Sequence, residues 1–336
     1  MESVNWYKIP TGDKLRPFTF IVGGRGIGKT YSAIEEGILN HRGSFMYLRN
    51  TREQLAESCG NFGNPFKRWA EDHKLNIKLE IERKHAVINQ YTLCDDGENE
   101  RKQLIGVGAN LSTFENLRGV DLSNIDFILF DEFIENRTLT FDQFRAFVNM
   151  YETVNRNREI TGSEPCKVIL LSNAQRLGNP ILRGFNLIPI IESMQKAGQR
   201  AYSNGPIRIE LPFSDVSEGK RDTALYKAVE GSNYTQEALN NNFINDSFAG
   251  VKKVNINEFM PVVAIDDIYI YRHKSESYFY ACGIQAKCKR FTSIDNFVVF
   301  YKLYGLKLKL AAADDKLFYS DYSTKVDLLN LLKMLY

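Results

Sequence analysis

Short apolar runs, each closed by glycine or polar residues, alternate with amphipathic stretches through the first two hundred positions of the chain. Residues 18–23 (FTFIVG), 44–50 (SFMYLRN), 125–133 (IDFILFDEF) and 166–173 (CKVILLSN) have the length and the branched or aromatic content of buried strands. The stretch TYSAIEEGILN from Thr30, the segment running to about His73, and the segment after residue 133 read as helical. NIKLEIERKHAVINQ alternates as a hairpin does. Strands alternating with helices predict a mostly parallel α/β sheet. The pattern changes near residue 200. Residues 201–247 are polar and rich in turn formers, and they read as a linker or lid. Beyond 250, PVVAIDDIYIYRHKSESYFYACGIQAKCKRF predicts several strands, and IDNFVVFYKLYG and VDLLNLLKMLY predict helices, together a small α+β domain. The expected organisation is therefore 1–200, 201–247 and 248–336. No internal repeat or low-complexity tract interrupts it.

The stretch between the first strand and the first helix carries candidate chemistry. Gly23-Gly24-Arg25-Gly26-Ile27-Gly28-Lys29-Thr30 satisfies G-x-x-x-x-G-K-[ST] at every fixed position and lies between a strand and a helix, as the phosphate-loop motif requires. Glycines there let backbone N–H groups converge on phosphates, and the helix N-terminus adds its positive end. Lys29 is placed to reach the β- and γ-phosphates, and the Thr30 hydroxyl to bind Mg²⁺. The competing reading is a chance glycine turn ahead of a helix.

Three further features narrow the chemistry. Phe127–Phe130 run into Asp131 and Glu132. A strand so apolar delivers Asp131 to Mg²⁺ and sets Glu132 to polarise an attacking water, although an Asp-Glu pair also serves as a helix cap. VILLSN is a later apolar strand ending in Asn173, the position of a γ-phosphate or water sensor when an additional strand lies between the loop strand and the acid strand. Ser-Asn is equally a turn former. TVNRNRE closes a helix that begins at Thr140 and Gln143 with capping-box spacing and carries Phe144, Phe147, Val148, Tyr151 and Val154 on one face. Arg156 and Arg158 stand at its C-terminal end, where basic residues favour the helix dipole and where an arginine finger would reach a neighbouring subunit's nucleotide. No NKxD guanine signature occurs, and a tandem Asp-Glu is unneeded by a kinase that transfers phosphate to a bound acceptor.

Composition adds limits. The 336 residues are 43% hydrophobic and 25% charged, ordinary for a soluble globular protein, and no apolar run is long enough to cross a membrane. The opening MESVNWYKIPTGDKLRP is too polar for a signal peptide. Five cysteines without CxxC spacing predict free thiols in a reducing compartment, and the four scattered histidines suggest no metal site. A net charge of +2 excludes nucleic-acid binding by bulk charge alone.

FIVGGRGIGKTYSA, FMYLRN, FDEFIENR, TVNRNRE, LLSNAQRLGNPILRGFNLIP and NNNFINDS, in that order, resemble the genome-packaging motor ATPases of phi-29-like small tailed double-stranded DNA bacteriophages, from about residue 15 to about 250. The resemblance implies an additional-strand (ASCE) P-loop ATPase fold followed by a lid and an RNase H-like C-terminal domain that does not cleave. It implies ATP and Mg²⁺ as cofactors, double-stranded DNA, a procapsid portal and a packaging RNA as partners, and a homo-pentameric ring. The setting it implies is the portal vertex in the host cytoplasm during assembly, not the mature virion. By position, Lys29 and Thr30 bind phosphate and Mg²⁺, Asp131 holds the metal, Glu132 is the base, Arg156 is the trans-acting finger with Arg158 beside it, and Arg118-Gly119 matches an Arg-Gly of larger terminases. Of the C-terminal carboxylates, Asp266 and Asp267 share the first strand's end while Asp295, Asp314, Asp315 and Asp321 are scattered. Candidate DNA contacts are Lys252, Lys253, Lys287, Lys289 and Arg290, the pair Lys307 and Lys309 on one face if they lie in a strand, and Arg49 and Arg52 toward a central channel. Other readings of the same residues are a helicase or recombination ATPase, or a nucleotide-gated scaffold, against which Glu132 argues.

Overall fold

A computed structural model of the chain describes residues 5–59, 63–75, 77–84, 88–96, 102–117, 122–135, 139, 141–173, 177–212, 215–229 and 250–333. Two compact units result, Met1–Gly184 with Ser193–Asn245, and Phe185–Glu192 with Asp246–Tyr336.

The first unit is built on a nine-stranded sheet. Its strands are β1 (Phe18–Val22), β2 (Phe45–Arg49), β3 (Ile77–Lys84), β4 (Ile88–Asp96), β5 (Lys102–Asn110), β6 (Phe127–Asp131), β7 (Lys167–Ser172), β8 (Ala201–Asn204) and β9 (Ile207–Glu210), in the order β3-β4-β5-β2-β6-β7-β1-β9-β8. The run from β5 to β9 is parallel. Its central strands are buried at every position of β6 and at all but the first of β1 and β7, which is why they read as apolar runs. β7 lies between β1 and β6, so that Leu170 pairs with Phe20 on one side and Phe130 on the other. The loop strand and the acid strand are therefore separated by the strand that ends beside Asn173. The predicted hairpin is present as the antiparallel pair β3 and β4.

Two expectations change in this unit. The polar stretch read as a linker from residue 201 opens with two strands: β8 and β9 form a hairpin around Gly205, at φ +54°, and β9 extends the parallel sheet beside β1. Strands of four residues fall below the length at which alternation is legible, although Asn204-Gly205 is a hairpin signal. The helical stretch to His73 is two short helices, α2 (Arg52–Glu57) and α3 (Lys67–Asp72), after the long α1 (Lys29–Asn40). A capping box does occur, at Thr51 and Gln54 of α2. The helix α4 (Gln143–Asn155) is capped by Asp142, whose side chain accepts from the Arg145 N–H at 3.0 Å, while Thr140 lies outside the described residues.

The second unit carries a five-stranded sheet of β10 (Phe259–Ile265), β11 (Ile268–His273), β12 (Phe279–Cys282), β13 (Lys289–Phe291) and β14 (Leu317–Tyr319), ordered β13-β10-β11-β12-β14. β10 to β12 form an antiparallel meander, and the two edge strands run parallel to their neighbours. Phe300, Leu308, Leu328 and Leu332, from the helical run 297–313 and the helix Tyr322–Lys333, pack on Val263, Ile265 and Ala281 of one face. Lys307 and Lys309 lie in the helix Leu306–Ala313, not in a strand. Two positions apart in a helix is a rotation of about 200°, so they point to different sides. Several other basic candidates sit over aromatic rings, with Lys252 3.3 Å from the Phe318 centroid and Arg290 5.6 Å from that of Tyr269. Four of the six candidate carboxylates have local partners. Asp266 accepts from the Ser293 N–H at 2.9 Å, Asp295 from the Thr292 hydroxyl, Asp321 from the Thr324 N–H, and Asp314 pairs with Lys316.

Candidate nucleotide-binding site

The chain leaves β1 at Val22 and turns through Gly23–Gly28 into α1. Three of these glycines are required by their surroundings. A Cβ on Gly23 would stand 2.6 Å from Cγ of Pro212, and Gly26 and Gly28 have φ of +63° and +102°, a region that side chains disfavour. The N-terminal segment braces the turn, with Tyr7 N–H donating to Ile27 O at 3.0 Å and Trp6 against Gly28. Lys29 is buried, and its ammonium donates to Gly23 O (3.0 Å), Gly24 O (2.6 Å) and Asn173 Oδ1 (3.3 Å). The contact with Asn173 joins the loop to the tip of β7.

Burial lowers the Lys29 pKa to about 8, with Lys220 and Arg25 adding to the shift and Asp131 and Glu132 opposing it. The folded value lies below the unfolded one, so the buried charge costs stability below pH 8, and the free protein gains stability as pH rises from 8 toward the ordinary lysine value. A bound polyphosphate favours the charged form. Nucleotide affinity is therefore expected to be flat up to about pH 8 and to fall by up to about tenfold per pH unit above it. Calorimetric titration from pH 6.5 to 9.5 checks this, and the fall should be absent in Lys29→Ala.

β6 delivers the acid pair. The buried Asp131 carboxylate accepts from the Thr30 hydroxyl (3.3 Å) and the Tyr47 hydroxyl (3.2 Å) and faces Nη1 of Arg49 at 3.4 Å. Burial pushes its pKa up, and the Arg49 guanidinium pulls the other way. Two hard oxygen donors, on Thr30 and Asp131, meet here, a donor set that suits Mg²⁺. Glu132 follows with φ +54°, a left-handed turn that ends the strand. Its side chain is half-exposed and paired to Nη2 of Arg49 at 2.8 Å. Arg25, Gly26, Gly28, Lys29, Thr30, Tyr31, Asp131, Glu132, Ser172 and Asn173 line one cavity of about 240 Å³. The phosphate loop, both acids and Asn173 are thus brought together.

A buried amide network holds the turn after Glu132. Asn50 donates to the Glu132 carbonyl (3.0 Å) and to Glu135 (2.9 Å), Gln143 donates to Asn50 Oδ1 (2.7 Å) and to the Phe133 carbonyl (2.6 Å), and Asn179 donates to Gln143 at 2.9 Å. Asn179 also accepts from the Ile181 N–H, capping the short helix Pro180–Gly184 with proline at its first position. Gln143→Leu takes the Gln143 bond from Asn50 Oδ1 and leaves the Phe133 carbonyl only the longer bonds from Asn179 (3.4 Å) and Asn50 (3.5 Å). It is expected to lower the unfolding free energy by about 1–3 kcal/mol, read from urea denaturation.

Arg156 and Arg158 do not line the cavity. Arg158 donates to the carbonyls of Ser123 and, at 2.7 Å, Ile125, and so fastens the approach to β6; the structure gives it a backbone-holding place in its own chain, not one beside the loop. Arg156 is exposed at the end of α4 with φ +46° and ψ −127°. Arg49, read as a candidate for a channel, is engaged with both acids instead, because β2 lies directly beside β6. Arg118 and Gly119 lie outside the described residues. Tyr47, Asn179, Trp6 and Lys220 were not legible as site residues. Tyr47 and Asn179 fall within stretches that carry the resemblance but had no assigned role, no motif marks Trp6 or Lys220, and the placement of all four depends on tertiary structure.

A phosphate-loop sequence and an acid pair, on strands either side of one that ends beside Asn173, define a P-loop fold of the additional-strand class. Family comparison is more specific. The model of the Podovirus DNA encapsidation protein (Gp16) family matches residues 7–270, and the chain belongs to that family. It is 29% identical over 245 residues to the DNA packaging protein of Bacillus phage B103, covering 71% of this chain and 68% of the relative. It is 30% identical over 245 residues to that of Bacillus phage phi29, covering 71% of this chain and 65% of the relative. The match thus spans about two thirds of these relatives' length. Among solved structures, "The Phi-28 gp11 DNA packaging Motor" superposes with a TM-score of 0.61 at 15% identity, covering 96% of this chain and 95% of that one. "The bacteriophage Phi-29 viral genome packaging motor assembly" gives 0.60 at 22% identity, covering 95% and 96%. At these identities the likeness is one of fold, and it extends over nearly the whole chain.

Proposed function

We propose that this chain is an ATPase that translocates double-stranded DNA into a phage procapsid through its portal, working as a homo-oligomeric ring. The observation that carries the reading is membership of the DNA encapsidation family over residues 7–270, the stretch that holds every residue lining the nucleotide cavity. The chemistry of the cavity supports hydrolysis over mere binding. Lys29 and the loop amides are placed to take the phosphates, Thr30 and Asp131 would hold Mg²⁺, which would supply charge neutralisation there, and Glu132 is the group placed to take the proton from the attacking water. Asn173 is placed to orient that water. In the conformation described, Oε2 of Glu132 is paired to Arg49, which makes Oε1 the oxygen placed to accept the proton.

Arg156 is the residue we assign to a neighbouring subunit's nucleotide, with Arg158 bracing the chain nearby. A pentamer, a packaging RNA as adaptor, and a place at the portal vertex in the host cytoplasm during assembly, not in the mature virion, complete the proposal. Among the described residues no helix is long and apolar enough to cross a membrane. The test is to add the purified chain, ATP and linear DNA to procapsids bearing the portal. Portal-stimulated ATP hydrolysis with DNA becoming resistant to nuclease is the expected result. DNA-stimulated hydrolysis that ignores the portal and protects no DNA would move the assignment to a helicase or recombination ATPase.

A further inference from the structure

Lys220 belongs to none of the motifs of the nucleotide site, yet it reaches the phosphate loop. It lies near the end of the helix Asp215–Arg221, in the segment that follows the first sheet. Its ammonium donates to the carbonyl of Arg25, a residue 195 positions earlier. It is also 2.9 Å from the place where a Cβ on Gly26 would stand. A lysine in the last turn of a helix ordinarily serves its own helix's carbonyls or points to water. This one crosses to the middle of another segment's anion-binding turn.

The charges around it make the placement informative. Lys29, Arg25 and Lys220 converge on one short loop. Burial lowers the pKa of Lys220 and the Arg25 guanidinium adds to the effect, while Lys220 in turn contributes to the lowering at Lys29. Among the described residues no carboxylate pairs with Lys220. Three cations gathered on one short glycine-rich turn, with Asp131 and Glu132 the acids acting on Lys29, form a site suited to a polyanion. The lysine stem is long and its three donors are unconstrained in direction, so a change of rotamer suffices to exchange one acceptor for another.

We propose that Lys220 is a further phosphate contact of the nucleotide site. A bound nucleoside triphosphate draws its ammonium from the Arg25 carbonyl to a phosphate oxygen, and so ties the position of the Asp215–Arg221 helix to nucleotide state. The proposal rests on the nucleotide-binding reading of the same cavity.

The test titrates the full-length chain with Mg²⁺–ATP, Mg²⁺–ADP and AMP by calorimetry, as wild type, Lys220→Gln and Lys220→Arg. Amide exchange of residues 215–221 is followed with and without ATP. Loss of a charge-assisted contact to the terminal phosphates is expected to weaken ATP about tenfold or more in Lys220→Gln, with a smaller loss for ADP and none for AMP. Lys220→Arg should keep most of the affinity. ATP should slow exchange across 215–221 in the wild type and not in Lys220→Gln. Wild-type affinity for ATP in Lys220→Gln overturns the proposal, and so does an equal loss for all three nucleotides together with a lower melting temperature, which would make Lys220 a brace for the loop. A wild-type chain that binds ATP no better than Lys29→Ala would instead overturn the nucleotide-site reading itself.

Discussion

Arg156→Ala is expected to lower DNA-stimulated ATP hydrolysis by about 10³–10⁵-fold, the range for loss of an arginine finger, with ATP binding by each chain retained. The argument begins with the backbone. Arg156 sits at φ +46° and ψ −127°, directly after α4, where its N–H closes the helix on the Glu152 carbonyl at 2.8 Å. A non-glycine residue in such a region costs about 1–3 kcal/mol, and glycine would remove most of that cost. An exposed arginine held there, outside its own chain's cavity, is suited to an acceptor supplied by another molecule. Two controls separate this from a structural role. Arg156→Gly relaxes the backbone, so a merely structural position should tolerate or prefer it, whereas a finger loses activity in both variants. Mixing Arg156→Ala chains with Glu132→Gln chains should restore hydrolysis that neither has by itself, because each supplies what the other lacks across a subunit boundary. No recovery from folded, ATP-binding variants would leave Arg156 acting within its own chain, and the ring mechanism would lose its support.

Glu132→Gln carries the second largest effect, a fall of about 10²–10⁴-fold in the hydrolysis rate for loss of a general base, with ATP affinity kept. Glutamine preserves the shape and still accepts from Arg49, while the left-handed turn is held by backbone bonds that the substitution does not touch, including Phe133 N–H to Leu171 O at 3.1 Å and Asn50 to the Glu132 carbonyl at 3.0 Å. The variant therefore removes a proton acceptor and little else. Unchanged single-turnover hydrolysis would show that another group receives the proton and that Glu132 has been misassigned.

Much of the parallel sheet was legible because its strands are apolar throughout and are followed by polar or glycine-rich turns. The short hairpin β8–β9 was not, since four residues are too few for a period to emerge from a polar neighbourhood. The condition on Lys307 and Lys309, one face if they lie in a strand, is not met: Leu306-Lys307-Leu308-Lys309-Leu310 alternates with a period of two, yet it lies on a helix continuous with the apolar stretch before it. Only Leu308 of the three leucines is buried, and continuity with the preceding helical run outweighs local alternation over so short a span. The cap of α4 shifted from the expected Thr140 to Asp142, within the usual uncertainty of a helix boundary.

The residues assigned to phosphate were determined by sequence, because a phosphate-loop motif is made of contiguous glycines, a lysine and a hydroxyl whose geometry the local backbone sets. Partners distant in the chain were decided by the tertiary structure. Arg49 meets Glu132 across 83 positions because β2 neighbours β6, Asn50 meets Gln143 across 93, and Lys220 meets Arg25 across 195. Strand order and helix docking choose those pairs through burial summed over the whole core, and no local propensity encodes that sum.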